Sequence, residues 1–146
     1  MTDTTAGAYD PPREGSTLAQ TMTESVLPFV EAASAALLGK KAPSVTILDV
    51  SKLSSVADRF VIASGASRIS VQAMADAVRE ELESLGRAPL RMEGLQEARW
   101  VCLDYGDMVV HVFQHAVRDY FDLERLWADA PRDIRREAPI PAGVTA

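Results

Sequence analysis

Between Trp100 and Gln114 the chain reads WVCLDYGDMVVHVFQ, an apolar run that carries Asp104, Asp107 and His111. Two carboxylates near an imidazole could hold a metal ion or do general acid–base work. The pattern around them points elsewhere. Residue types alternate as in a strand pair, and Gly106 supplies the positive φ of a tight hairpin, with either Tyr105-Gly106 or Gly106-Asp107 as the turn. Both choices give the same faces: Val101, Leu103, Met108, Val110 and Val112 on one, and Trp100, Cys102, Asp104, Val109, His111 and Phe113 on the other. The first face is uniformly apolar and must pack on helices. The second mixes aromatics with ionisable groups, which suits a surface covered partly by the chain itself or by another protein. On that face Trp100 and His111 are expected as cross-strand neighbours. His111 and His115 are four apart, a spacing that aligns ligands on a helix but not where a strand leaves its sheet, so no metal ligand is assigned.

A second chemical candidate is ASGASR, residues 63–68, a Gly-Ser turn between a strand and a helix. Nucleotidyltransferases use a related turn to hold phosphate, but they follow it with two metal-binding carboxylates on the next strand. Here the corresponding distance reaches MADAV, whose only acid, Asp76, lies in an amphipathic helical pattern. The metal-holding half of that constellation is missing, and Ser67 serves better as a helix cap. The chain also has no Gly-x-Ser-x-Gly elbow, P-loop or paired CxxC, and its single cysteine, Cys102, reads as a small hydrophobe in a strand. Neither a catalytic residue nor a cofactor is expected.

The elements that must position these residues follow from periodicity. Val26, Phe29, Val30, Ala33 and Leu37 recur at helical spacing, with Ser25 as N-cap, Pro28 in the first turn and Gly39 at the end. SVTILDV and DRFVIAS are β-branched, strand-like runs. Val71, Met74, Ala75, Val78, Leu82 and Leu85 mark a second helix, capped by Ser67 or Ser70 and stopped at Gly86. A short strand near Leu90 to Glu93 precedes the hairpin, and HAVRDYFDLERLW returns to helical spacing through Val117, Phe121, Leu123 and Trp127. The order αββαβββα implies one α/β layered domain, residues 23–130, with a mixed sheet flanked by helices. Residues 1–22, rich in Thr, Gly, Pro and Ala, and residues 131–146, broken by three prolines, read as flexible tails.

Composition limits the functional classes. At 146 residues and 47% hydrophobic the chain suits one packed core, and it has neither a membrane-length apolar stretch nor a signal-peptide pattern, so it is expected to be cytoplasmic and free of membrane. A formal charge of −6 disfavours sequence-blind phosphate binding, and no direct DNA binding is expected. A basic protein partner fits better. Asp104, Asp107, Asp119, Asp122, Glu124 and Asp129 face only Arg118 and Arg125 in the C-terminal third, and such an excess would steer a cationic partner there.

ADRFVIASGASR, EGL, WVCLDYGDMVVHVF and VRDYFDLERLW, taken together over residues 23–129, resemble the ribosomal silencing factor family, also called RsfS or Iojap-like proteins. The combination of LDYGD-x-VVHVF with DLE-x-LW is specific where its pieces are not. Arg59, Ile69 and Phe121 stand where the family commonly has an aromatic, His and Tyr. The resemblance implies a nucleotidyltransferase-like α/β fold without the catalytic carboxylates, in agreement with the missing pair. It also implies binding to a basic protein of the large ribosomal subunit, L-fourteen, at the face where the small subunit docks, which blocks subunit joining and slows translation when nutrients are scarce. Carried over by motif, the contact set is Trp100, Asp104, Asp107, His111, Arg118, Tyr120, Phe121 and Glu124. A homodimer of the free protein is a further implication, and a metal-dependent nucleotidyltransferase-like enzyme is the alternative reading.

Overall fold

The structure is a computed structural model that describes residues 25–136. The elements run α1 (Leu27–Gly39), β1 (Val45–Asp49), β2 (Arg59–Gly65), α2 (Arg68–Ser84), β3 (Arg91–Glu93), β4 (Trp100–Asp104), β5 (Met108–Gln114), α3 (His115–Phe121), α4 (Leu123–Leu126) and β6 (Arg132–Arg135). The strands form a sheet of order β3-β4-β5-β2-β1-β6. β2 and β5 pair in parallel at its centre and every other pairing is antiparallel, so the sheet is mixed, as expected.

Both long helices start where local chemistry allows. The Ser67 hydroxyl accepts from the Ser70 amide at 3.1 Å while the Ser70 hydroxyl accepts from the Ser67 amide at 3.0 Å, so Ser67 is the cap and Ser70 its reciprocal partner. Gly86, at φ 87°, lets the Arg87 amide donate back to the Leu82 carbonyl at 2.8 Å and closes α2. At α1 the N-cap is Val26 rather than Ser25. Its carbonyl accepts from the Phe29 and Val30 amides, each at 3.0 Å, and its side chain is fully buried. Pro28 in the first turn brings no N–H, so fewer donors there need a polar cap.

α1 and α2 lie side by side on one face of the sheet and bury Val61, Ala63, Val101, Leu103, Met108, Val110 and Val112 beneath Val30, Leu37, Met74, Val78 and Leu82. The uniformly apolar hairpin face is therefore the core face. A smaller cluster of Leu48, Val50, Ile62, Phe113 and Ala130 fills the opposite face, beneath Val117, Leu123 and Trp127.

The C-terminal third departs from expectation twice. The helical run after β5 is broken at Asp122, which adopts φ 50°, ends α3 and caps α4 by accepting from the Arg125 amide at 3.3 Å. Asp tolerates the left-handed conformation and competes for nearby backbone donors, so it can split a run whose apolar spacing looks continuous. Residues 131–136, read as the start of a flexible tail, include β6, which pairs from Val45↔Arg135 to Leu48↔Arg132 along the outer edge of β1. β1 would otherwise present unpaired backbone groups, and Pro131 sits just before the strand, where its carbonyl accepts from the Asp49 amide at 2.9 Å. Residues 1–22 and 137–146 lie outside the described residues.

The connection into β4 depends on Gly94, at φ 81°, where an added Cβ would lie 2.1 Å from the Trp100 carbonyl oxygen. The loop is tied by Ala98 to Gly94 at 2.8 Å and by Arg68 and Gln72 to the Gln96 carbonyl, each at 3.0 Å. Gly94→Ala should therefore cost about 2 kcal/mol or more through backbone strain and collision. Gly39→Ala, where an added Cβ would meet no described residue outside its own helix within 4 Å, should be neutral or mildly stabilising. Chemical denaturation of the two variants checks the contrast.

Candidate partner-binding site

The hairpin turns at Gly106-Asp107, with Gly106 at φ 90° and the Tyr105 amide donating to the Met108 carbonyl at 2.8 Å. Glycine at the first central position is what a type II′ turn requires. This register sets Trp100 opposite Phe113, Cys102 opposite His111 and Asp104 opposite Val109. Trp100 is thus a diagonal cross-strand neighbour of His111, on the face where the two were expected together. It still reaches His111: the indole Nε1 donates to His111 Nδ1 at 3.0 Å. An indole nitrogen can only donate, so Nδ1 is the acceptor and the ring proton sits on Nε2.

His111 is only 7% exposed and packs against the Phe60 edge with ring centroids 5.0 Å apart. Its Nε2 has no hydrogen-bond partner among the described residues, and burial pushes its pKa down to about 4, against an opposing pull from Asp104. The ring is neutral and its Nδ1 lone pair is used by Trp100.

The two carboxylates do not join it. Asp104 accepts from the Gly106 amide at 2.8 Å and pairs with Arg91 at 3.3 Å. Asp107 pairs with Arg87 at 2.9 Å, and that guanidinium also donates to the Tyr105 carbonyl and lies 4.6 Å over the Phe29 ring, on the α1 side of the molecule. Among the described residues no group of three His, Cys, Asp or Glu side chains is placed to hold a metal.

Arg118 and Glu124, carried over as contact residues, are mostly buried and bind each other at 2.6 and 3.1 Å. Arg118 also donates to Ser64 Oγ at 3.2 Å and Thr46 Oγ1 at 3.1 Å, and His115 Nδ1 lies 2.9 Å from Ser64 Oγ. These bonds fasten α3 and α4 to the sheet. Charge counting along the sequence overlooked this arrangement: of six acids in the C-terminal third, Asp104, Asp107 and Glu124 are paired, two of them with arginines from further back in the chain. Ser64 and Thr46 were missed as well, although polar side chains within apolar strands signal that partners must exist.

What the face offers outward is aromatic. Trp100 stacks on Phe113 at 4.9 Å and tilts against Phe121 at 4.8 Å, and Tyr120 meets the Phe121 edge at 5.1 Å. Tyr120 is 82% exposed and Phe121 47% exposed. Between them and the Gly94 loop lies a cleft of about 300 Å³ lined by Glu97, Arg99, Trp100, Val117 and Phe121. Trp100 is half-buried by the protein's own rings, so it is as much support as contact. Leu123 and Trp127 pack inward, Trp127 with its ring 5.4 Å from Phe60.

The sequence model of the family described as "Ribosomal silencing factor during starvation" matches residues 23–144. The chain is 44% identical over 103 residues to the Bacillus subtilis ribosomal silencing factor RsfS, which covers 70% of this chain and 87% of that one. It is 29% identical over 91 residues to mouse "Mitochondrial assembly of ribosomal large subunit protein 1", covering 60% of this chain and 40% of the relative. A crystal structure of a Chromobacterium violaceum protein matches with a TM-score of 0.69 at 36% identity, over 83% of this chain and 95% of that one.

The lowered pKa of His111 has a signed consequence for stability. Unfolded, the imidazole takes up a proton near its ordinary value of 6.5, whereas the folded ring resists until about 4, so stability is complete above 6.5 and falls as pH drops between these values. The loss across that window should reach roughly 3 kcal/mol. In His111→Leu the stability-versus-pH profile should be flatter between pH 6.5 and 4, as measured by denaturation at several pH values. Equal steepness in the variant would contradict the buried neutral ring.

Proposed function

The chain belongs to the ribosomal silencing factor family, and on that premise we propose that it binds the large ribosomal subunit and sterically blocks association with the small subunit, repressing translation under nutrient limitation. The observation that carries the reading is the exposed Tyr120-Phe121 pair braced on Trp100, an aromatic surface that the described residues do not cover. Interface cores are rich in such side chains, and a few aromatic anchors supply most of the binding energy. The partner on the subunit is its basic protein L-fourteen, and the free protein is a cytoplasmic homodimer. The name of the mouse relative, which refers to the ribosomal large subunit, supports that choice of subunit.

Within this reading the residues divide by what they touch. Tyr120 and Phe121 meet the partner, with the outer edge of Trp100 behind them and Glu97 and Arg99 at the rim of the cleft. Arg118, Glu124 and His111 hold that surface in place from inside, and Asp107 fixes the hairpin tip through Arg87. The mechanism is occupancy alone: the bound protein fills space the small subunit needs. No reaction is required, which fits a site whose only buried imidazole is neutral and already bonded.

Two outcomes test this. Added protein should lower the yield of joined ribosomes from separated subunits while leaving preformed, message-engaged ribosomes intact, as read by gradient sedimentation. Tyr120→Ala should cost about 2 kcal/mol of affinity for the large subunit, roughly thirtyfold, with an unchanged denaturation midpoint because that ring is outside the core. Full affinity in the variant would exclude Tyr120 as an anchor.

A further inference from the structure

We propose that Arg132 is a positioning residue for the binding face, and that β6 acts through it as a clasp on α4. This rests on the reading of α3 and α4 as the partner surface. α4 has four residues, none fully buried, and a single turn cannot hold itself in water. Its place is fixed by bonds that converge on Glu124. From one side Arg118, anchored to Ser64 and Thr46 in the sheet, holds the Glu124 carboxylate. From the other, the Arg132 guanidinium donates to the Glu124 backbone carbonyl at 2.9 Å.

β6 is itself held at both ends. The Pro131 carbonyl accepts from Asp49, and Arg135 makes a two-pronged pair with Glu31 of α1 at 2.7 and 2.8 Å. The short link between α4 and β6 is pinned by Ala130, which is buried and donates to the Trp127 carbonyl at 3.0 Å. Docking of the strand and placement of α4 are therefore one linked equilibrium. Linkage is reciprocal: a partner that favours the placed α4 must also favour docked β6, although β6 is not part of the contact set.

The test compares Arg132→Ala and Arg132→Lys in the full chain by two readouts. The first is amide hydrogen exchange at Leu126 and Trp127 in the free protein, and the second is affinity for purified large ribosomal subunits at two salt concentrations. In Arg132→Ala, exchange should quicken and affinity should fall, each about fivefold, as for loss of one solvent-exposed hydrogen bond. Arg132→Lys, which can still donate to the carbonyl, should recover most of both, and the salt dependence of binding should not change. Unaltered exchange in Arg132→Ala would overturn the clasp. So would an affinity loss with a shallower salt dependence and native exchange, the mark of a direct phosphate contact. If wild-type protein fails to bind the subunits, the functional reading falls, and the exchange rates alone decide the clasp.

Discussion

The register of the β4–β5 hairpin is the constraint from which the rest of the site follows. With Gly106-Asp107 as the turn, Trp100 sits beside Phe113 and its indole N–H reaches the Nδ1 of His111. That bond fixes the imidazole's tautomer while burial keeps the ring neutral, and it orients Trp100 so that its ring supports Phe121. A different pairing would uncouple these contacts, because cross-strand neighbours are the unit in which a sheet's side chains interact. The turn is secured from both sides, by Asp104 to the Gly106 amide and by Arg87 to Asp107 and the Tyr105 carbonyl.

Hydrophobic burial and polar positioning are divided between the two faces of the sheet. Under α1 and α2 the packing is largely aliphatic and continuous, and it holds most of the buried apolar side chains. Under α3 and α4 it is aromatic and partial, and the short helices are held by specific bonds from Arg118 and Arg132 as much as by burial. Such a face can leave Tyr120 and Phe121 exposed without unfolding, because the core does not depend on covering them. Among the described residues the large exposed aromatic rings, Tyr120 and Phe121, lie on this thinner side.

Much of this was legible in the sequence. Alternation in WVCLDYGDMVVHVF assigned each residue to its face, and i, i+3, i+4 spacing placed α1 and α2. The hairpin's neighbours were not, since the two possible turns shift the pairing by two residues, which preserves the faces and changes who sits opposite whom. The break at Asp122 was passed over for another reason: Val117 to Phe121 and Leu123 to Trp127 are each i, i+4 steps, and the step of two from Phe121 to Leu123 that marks the break lies between them. β6 carries one apolar residue, Ile134, in an exposed edge strand, too little for a period to show. The roles of Arg118 and Glu124 were obscured because their anchors, Ser64 and Thr46, lie far back in the chain, and charge along a sequence carries no distances. The motif resemblance identified the family, but it could not tell which of its residues face outward.

The most direct test of the account is an electron cryomicroscopy structure of large ribosomal subunits saturated with the protein. The account predicts density on the face that meets the small subunit, with Tyr120 and Phe121 inserted against a basic ribosomal protein and Arg118 and Glu124 still joined beneath them. Density elsewhere on the subunit, or contact made through the α1–α2 side with Tyr120 left in solvent, would contradict it.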